Sequence, residues 1–169
     1  MSICRLIYIG DTAITKKTSC EDLLASGLRE SASYLGMRRL KSNPEHLEVI
    51  GGQFFVTALF LAEKISTVTL YPYIEGLEVP KPLNGEYEAE KYMYCLDRLV
   101  EYFGVPNDIS DKYCTYGFKW GRVTLSRITD GPDMYKGGYI LINMYPSSNG
   151  GGQTEGGGEK RKAPVPAGS

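Results

Sequence analysis

The side chains best suited to metal binding or nucleophilic catalysis are one histidine and four cysteines. The cysteines are Cys4, Cys20, Cys95 and Cys114, and no two of them form a C-x-x-C pair. This spacing excludes the usual zinc motifs and gives no dense disulfide framework, so a reducing, cytosolic setting is the default expectation. His46 has no second histidine and no cysteine nearby, which argues against a metal or catalytic role. Because G-x-S-x-G, H-E-x-x-H and EF-hand patterns are missing, we expect no enzyme, no metal and no cofactor.

A second group with chemical potential consists of five basic residues in the first quarter of the chain. They are Lys16, Lys17, Arg38, Arg39 and Lys41. The last three follow a predicted helix, where cations stabilise the negative end of the helix dipole. The alternative is one exposed patch that contacts a membrane or a nucleocapsid, since each basic residue near an anionic surface contributes about 1 kcal/mol. This second interpretation requires that the loop carrying the two lysines lie beside the segment that follows the first helix.

Three further basic residues lie in the C-terminal tail, at Lys160, Arg161 and Lys162. Residues 147–169 are rich in Gly, Ser and Asn at their start, which predicts a flexible tail. A short basic cluster beside proline on such a tail is what a nuclear-import adaptor can bind. The alternative is a solubilising tail with incidental basic residues, because three cations are fewer than the five to eight of typical basic patches.

The composition is that of one globular domain, which we assign to residues 1–146. The 169 residues are 42% hydrophobic and 23% charged, and 19 basic residues nearly balance 20 acidic residues to give a net charge of −1. This balance argues against nucleic-acid binding by overall charge, so any such binding requires a local patch. The 13 tyrosines fit either ordinary strand positions or protein interfaces. The N-terminus lacks the basic and apolar regions of a secretory signal.

The elements that position these residues centre on the most apolar run, Gly51–Glu63. Its short length and its aromatic and β-branched residues predict a strand buried on both faces, because a transmembrane helix needs about 20 apolar residues. Before it, Ile3–Ile9 predicts a strand. Ser19 predicts the N-cap of a helix whose apolar residues recur at helical spacing as far as Gly36. Leu47–Ile50 predicts a further strand.

The chain after this central run predicts one long helix between strands. Ile65–Ile74 is rich in β-branched residues, and Glu86–Phe103 combines an acidic start with an apolar stripe at helical spacing. Thr115–Thr129 predicts a strand with a β-bulge at Gly121, and Gly138–Met144 predicts its hairpin partner. The order β-α-β-β-α-β-β predicts an α+β fold in which two main helices pack on an antiparallel sheet.

Two short motifs occur in an order shared with a known family. Tyr34–Met37 (Tyr-Leu-Gly-Met) closes the predicted first helix and is followed by basic residues. Tyr116–Leu125 (Tyr-Gly-Phe-Lys-Trp-Gly-Arg-Val-Thr-Leu) is an alternating strand that precedes the acidic turn Asp130–Asp133. This chain resembles the rhabdovirus matrix proteins of the short, plant-infecting (cytorhabdovirus-like) kind. Vesiculovirus members have a strand similar to Ile3–Ile9, followed by a helix that ends in Tyr-x-Gly-Met and by a basic and apolar stretch. Later they have a Gly-Leu-Tyr-Lys-Gly strand before an acidic turn.

The resemblance implies a structural protein that self-associates, condenses the helical nucleocapsid and links it to the inner face of the envelope membrane. The implied partners are further copies of the chain, the viral nucleoprotein–RNA complex, anionic inner-leaflet lipid and the glycoprotein tail. The implied location is the virion and the host cytoplasm, peripheral to membranes, with the host nucleus added if the tail cluster binds an import adaptor. The lysine-rich N-terminal arm and the P-P-x-Y motif of the animal-virus members are not found in this sequence.

Two other functional classes stay open at the level of sequence. A nucleic-acid-binding accessory protein would have a salt-sensitive affinity for naked RNA. A small cytosolic enzyme or ligand-binding domain would be monomeric and would have one deep pocket.

Overall fold

The apolar run in the middle of the sequence forms a central strand of a large antiparallel sheet. The computed structural model describes residues 5–80, 84–110, 112–127 and 137–145. These residues have an α+β fold with two helices, α1 (Cys20–Ala25) and α2 (Gly85–Phe103). The strands are β1 (Tyr8–Ile9), β2 (Thr12–Ala13), β3 (Arg29–Tyr34), β4 (Met37–Lys41), β5 (Leu47–Val49), β6 (Gly52–Leu61), β7 (Lys64–Pro72), β8 (Asp108–Ile109), β9 (Tyr113–Gly117), β10 (Gly121–Arg127) and β11 (Gly137–Met144).

The main sheet has nine strands in the order β3-β4-β6-β7-β11-β10-β9-β8, with β5 also paired to β6. Strands β1 and β2 form a separate antiparallel pair. The predicted α+β class and antiparallel sheet are therefore confirmed. The predicted order β-α-β-β-α-β-β is too simple, because the described residues form two strands before α1, five between the helices and four after α2.

Strand β6 is buried on one face only, whereas the sequence predicted burial on both. Phe54, Val56, Ala58 and Phe60 are fully buried, while the residues that alternate with them are half-buried. The buried positions belong to one core cluster that also contains residues of both helices and of the N-terminal segment. We call the other side of the sheet the outer sheet face. No described helix covers it, and this leaves its side chains in partial contact with solvent.

The first helix is much shorter than predicted. Ser19 is its N-cap, as predicted, and it exchanges capping hydrogen bonds with Asp22. The helix then ends at Ala25, and the predicted remainder forms the β3–β4 hairpin. Leu35 and Gly36 have positive φ values of 45° and 82°, the signature of a tight hairpin turn. The long-range pairing of β4 with β6 sets the structure of this segment, although its apolar residues recur locally at helical spacing.

The long helix α2 matches the prediction within one residue at its start. Asn84 is its N-cap and accepts a hydrogen bond from the Tyr87 N–H, and Gly104 follows its last residue with a positive φ. The helix packs on β7, β10 and β11 and buries Tyr92 and Leu99. These contacts cover the face of the sheet opposite to the outer sheet face.

The predicted strand Thr115–Thr129 is two strands, β9 and β10, joined by a turn. The predicted bulge at Gly121 is wrong, since this residue begins β10. A Cβ atom there would lie 2.3 Å from the backbone oxygen of Asn143 on β11, so close strand packing explains the glycine. The predicted hairpin with β11 is confirmed by the antiparallel pairing of Val123 with Ile142.

Three predictions fall wholly or partly outside the described residues. The predicted first strand, Ile3–Ile9, is described from Arg5, and only Tyr8–Ile9 is a strand. The turn Asp130–Asp133 and the tail of residues 147–169, with its cluster Lys160–Lys162, lie outside the described ranges.

Candidate anion-binding site

The five basic residues predicted as one patch are divided among three environments. Arg38 pairs with Phe60 on the helix-covered side of the sheet, and its guanidinium lies 3.0 Å from the Glu30 carboxylate. This hydrogen bond raises the pKa of Arg38 above its ordinary value. The charge of Arg38 is thus paired within the β3–β4 hairpin, and Arg38 is not part of the candidate anion-binding site.

Arg39 and Lys41 lie on the outer sheet face. They alternate along β4 with the fully buried Leu40, and their partners on β6 are the half-buried Leu59 and Thr57. No ion pair involves either residue within the described part of the chain. Their charges are therefore available to an external anion.

A third cation adds to the positive charge of this face. Arg122 on β10 is exposed and pairs with Asn143, on the same face as Arg39 and Lys41. The outward positions of the five strands from β4 to β10 carry no Asp or Glu among the residues described. This is the local basic patch that a chain of net charge −1 needs in order to attract an anion.

Aromatic side chains form a row across the same face. Phe55 on β6 is paired with Tyr71 on β7, and the Tyr71 and Tyr139 rings are 5.3 Å apart, with Tyr139 on β11. Tyr71 is 44% exposed, and the other two are half-buried. Burial and the neighbouring Tyr139 raise the pKa of Tyr71, while Arg39 lowers it, so the phenol stays protonated at neutral pH.

The cations and the aromatic row meet in a pocket of about 430 Å³. Its lining residues are Arg39, Lys41, Asn43, Phe55, Thr57 and Tyr71. A second pocket of about 300 Å³ shares Lys41 and Asn43 and extends to Arg29, Glu30 and Ser31 at the edge of the sheet. The two form a groove with cations along one side and aromatic rings along the other.

His46 stands at one end of the aromatic row. Its ring stacks on Tyr73 at 4.0 Å and meets Phe55 edge-on at 6.0 Å. Its Nδ1 lies 2.9 Å from the Gln53 Oε1. These contacts give the imidazole a packing role in an aromatic group.

Lys16 and Lys17 lie in a separate place, on a tight turn before α1. The Thr15 N–H donates to the Thr18 hydroxyl at 2.9 Å, and the Lys17 N–H donates to the Thr15 hydroxyl at 3.1 Å. The Thr18 hydroxyl in turn donates to the Ala13 carbonyl. These bonds hold the turn in one conformation, so the two lysines are presented together.

The two lysines and Lys64 surround a pocket of about 370 Å³ at the β6–β7 turn, with Leu61 and Ile65 in its lining. No residue of this lysine pocket lines the sheet-face groove. The five predicted cations therefore supply two surfaces rather than one. Lys64 was missed because its position beside Lys16 depends on a contact between distant parts of the chain.

The described cysteines are not suited to nucleophilic chemistry. Cys20, Cys95 and Cys114 are free and buried. Burial raises the pKa of the Cys95 thiol to about 12 and that of Cys114 to about 11, so both stay protonated at neutral pH.

Comparison with known proteins gives no relative. No protein-family model, no curated protein and no solved structure matches the chain. Among the described helices, none is long and apolar enough to cross a membrane.

Proposed function

We propose that this protein is a non-enzymatic structural protein of the rhabdovirus matrix type. It self-associates, condenses a nucleoprotein–RNA complex and links that complex to anionic lipid at the inner face of an envelope. The observation that carries the proposal is the outer sheet face, where Arg39, Lys41 and Arg122 form no ion pair with any described residue. The described outward positions of the five strands from β4 to β10 also carry no carboxylate. A surface of this kind attracts a polyanion although the whole chain is slightly negative.

The lysine pocket supports the second half of this role. A protein that links a nucleocapsid to a membrane needs two surfaces for anions, and Lys16, Lys17 and Lys64 form a second one beside apolar Leu61. Lysines near an anionic bilayer each contribute about 1 kcal/mol of binding free energy. In this proposal the outer sheet face binds the nucleocapsid, and the lysine pocket binds the lipid headgroups.

The edge of the sheet supports self-association. Strand β3 ends the sheet on one side within the described residues. An edge strand offers backbone groups for pairing with another chain. At the tip of its hairpin, Tyr34 and Leu35 are 68% and 85% exposed, and such exposed apolar side chains favour a protein contact.

Sedimentation tests self-association and nucleocapsid binding. Analytical ultracentrifugation at low salt should show reversible growth beyond a dimer as concentration rises. The protein should also co-sediment with purified nucleoprotein–RNA, and Arg39→Glu/Lys41→Glu should abolish this binding. The control Lys112→Glu/Lys119→Glu makes the same charge change at exposed positions outside the groove and should bind normally.

The contrary results are equally clear. A protein that stays monomeric at every concentration, and that remains in the supernatant when nucleoprotein–RNA is pelleted, is not a matrix protein. Retained binding by Arg39→Glu/Lys41→Glu would move the contact away from the outer sheet face.

A further inference from the structure

We infer that the outer sheet face binds single-stranded nucleic acid directly, with bases stacked on Phe55, Tyr71 and Tyr139 and phosphates beside Arg39 and Lys41. The inference rests on the proposed function for its setting, because it names RNA as the component of the nucleocapsid that this face contacts. Its basis is the juxtaposition of a ring row and a cation row on one uncovered sheet.

The aromatic row has the arrangement that stacking on successive bases requires. Its three rings come from adjacent strands, β6, β7 and β11, and lie at matched register positions. Adjacent strands are about 4.8 Å apart, and the Tyr71 and Tyr139 rings are 5.3 Å apart. Every base has a flat π face, so a row of this kind binds unpaired bases with little regard to sequence.

The cations lie where the sugar–phosphate backbone of such a strand would run. Arg39 and Lys41 stand on β4, next to β6, and line the same pocket as Phe55 and Tyr71. Arg39 is close enough to Tyr71 to lower the pKa of its phenol. Asn43 and Thr57 add polar groups within the pocket, which can hydrogen-bond to base edges or to sugar hydroxyls.

The same features disfavour a duplex and a membrane. Bases in a duplex are stacked on one another, so their faces are closed to Phe55 and Tyr71. A membrane-facing surface would be continuously apolar, whereas the paired Thr57 and Thr69 occupy the outer positions between the aromatic rings and the level of Arg39. Single-stranded nucleic acid uses both the rings and the charges.

Fluorescence anisotropy with the full-length protein tests the inference. The probe is a fluorescein-labelled 12-nucleotide oligo-uridine RNA, and a 12-base-pair RNA duplex is the comparison ligand. Wild-type protein should bind the single strand more tightly than the duplex. Tyr71→Ala/Tyr139→Ala should weaken single-strand binding by roughly tenfold or more, as expected for the loss of two stacking platforms.

Two further variants separate stacking from a loss of folding. Tyr71→Phe/Tyr139→Phe keeps the rings and removes the hydroxyls, and it should bind like the wild type. Tyr8→Ala/Tyr87→Ala removes two tyrosines that lie outside the row, on β1 and α2, and should also leave binding unchanged. Circular dichroism melts of all variants verify that each is folded.

The inference is overturned if the wild type does not bind the single strand, if it binds the duplex as tightly, or if Tyr71→Ala/Tyr139→Ala binds like the wild type. Its failure differs from failure of the proposed function. If wild-type protein co-sediments with nucleoprotein–RNA without binding the free RNA, the face contacts nucleoprotein and the proposed function stands. If it binds RNA yet neither self-associates nor co-sediments, the proposed function fails and the inference stands.

Discussion

The salt dependence of RNA binding should report how many cations of the outer sheet face contact phosphate. For single strands, the logarithm of the association constant falls with the logarithm of salt concentration at a slope of about −0.7 per contact. Contacts at Arg39, Lys41 and Arg122 therefore give a slope of about −2, three times that value. Affinity should then fall ~20-fold between about 50 and about 200 mM salt.

Removing two of the three charges should flatten this dependence. Arg39→Gln/Lys41→Gln leaves Arg122 alone, so the slope becomes about −0.7 and the loss over the same salt range falls to ~3-fold. Neutral glutamine avoids the repulsion that a charge reversal would add. The control Lys112→Gln/Lys119→Gln lowers the net charge equally at exposed positions outside the groove, and its slope should stay near that of the wild type.

The assay is an anisotropy titration of labelled oligo-uridine RNA at four or more salt concentrations for each protein. A slope in Arg39→Gln/Lys41→Gln equal to that of the wild type would show that phosphates do not lie at these residues. The cation row on β4 would then be only a general attractor of anions. An equal loss in the control would show that net charge, and not position, governs binding.

Three further predictions concern stability, pH and the tail. Gly121→Ala should lower the free energy of unfolding in urea by about 1–3 kcal/mol, because the new Cβ would lie 2.3 Å from a backbone oxygen. The control Gly117→Ala, whose Cβ would have its nearest atom at 3.8 Å, should be nearly neutral. Equal stabilities of the two variants would contradict the close approach at Gly121. Burial raises the pKa of the Cys95 thiol from 9.0 to about 12. The protonated thiol is therefore favoured in the folded state, and the free energy of unfolding should fall as pH rises from about 9 towards 12, by up to about 1.4 kcal/mol per pH unit. Cys95→Ser should show a shallower decline, and an identical pH profile would rule out this cause. A fluorescent fusion of Gly150–Ser169 should be more nuclear than its version with Lys160–Lys162 changed to alanine if the cluster is an import signal; equal distributions would leave a solubilising tail.

Helix α2 could be predicted from sequence because its signals are local. Its acidic first turn, the stripe through Tyr92 and Leu99, and Gly104 after its end all lie within one short segment. Met93, which is also apolar and adjoins the stripe in sequence, is nevertheless half-exposed. The sequence does not show how much of a helix the neighbouring sheet will cover.

The aromatic row could not be predicted, because its members come from three separate segments. Phe55, Tyr71 and Tyr139 each looked like an ordinary strand residue. Only the pairing of β6, β7 and β11 brings them together. Alternation along Gly52–Leu61 was the one available signal, and it was hidden because Phe55 and Leu59 are as apolar as the buried residues between them.

The basic residues show how an error in secondary structure becomes an error about function. Placed after a helix, Arg38, Arg39 and Lys41 looked like one patch. On a strand, successive side chains point to opposite faces, so Arg38 contacts Glu30 while Arg39 and Lys41 lie on the outer sheet face.

A variant that reverses the charges of all three residues would therefore disturb the hairpin and the binding surface together. Arg38→Gln should affect mainly the stability of the hairpin, and only slightly, because the ion pair is partly exposed. Arg39→Gln/Lys41→Gln should weaken RNA binding while leaving stability nearly unchanged, and urea unfolding measured beside anisotropy separates the two effects. Loss of RNA binding in Arg38→Gln at unchanged stability would return Arg38 to the binding surface.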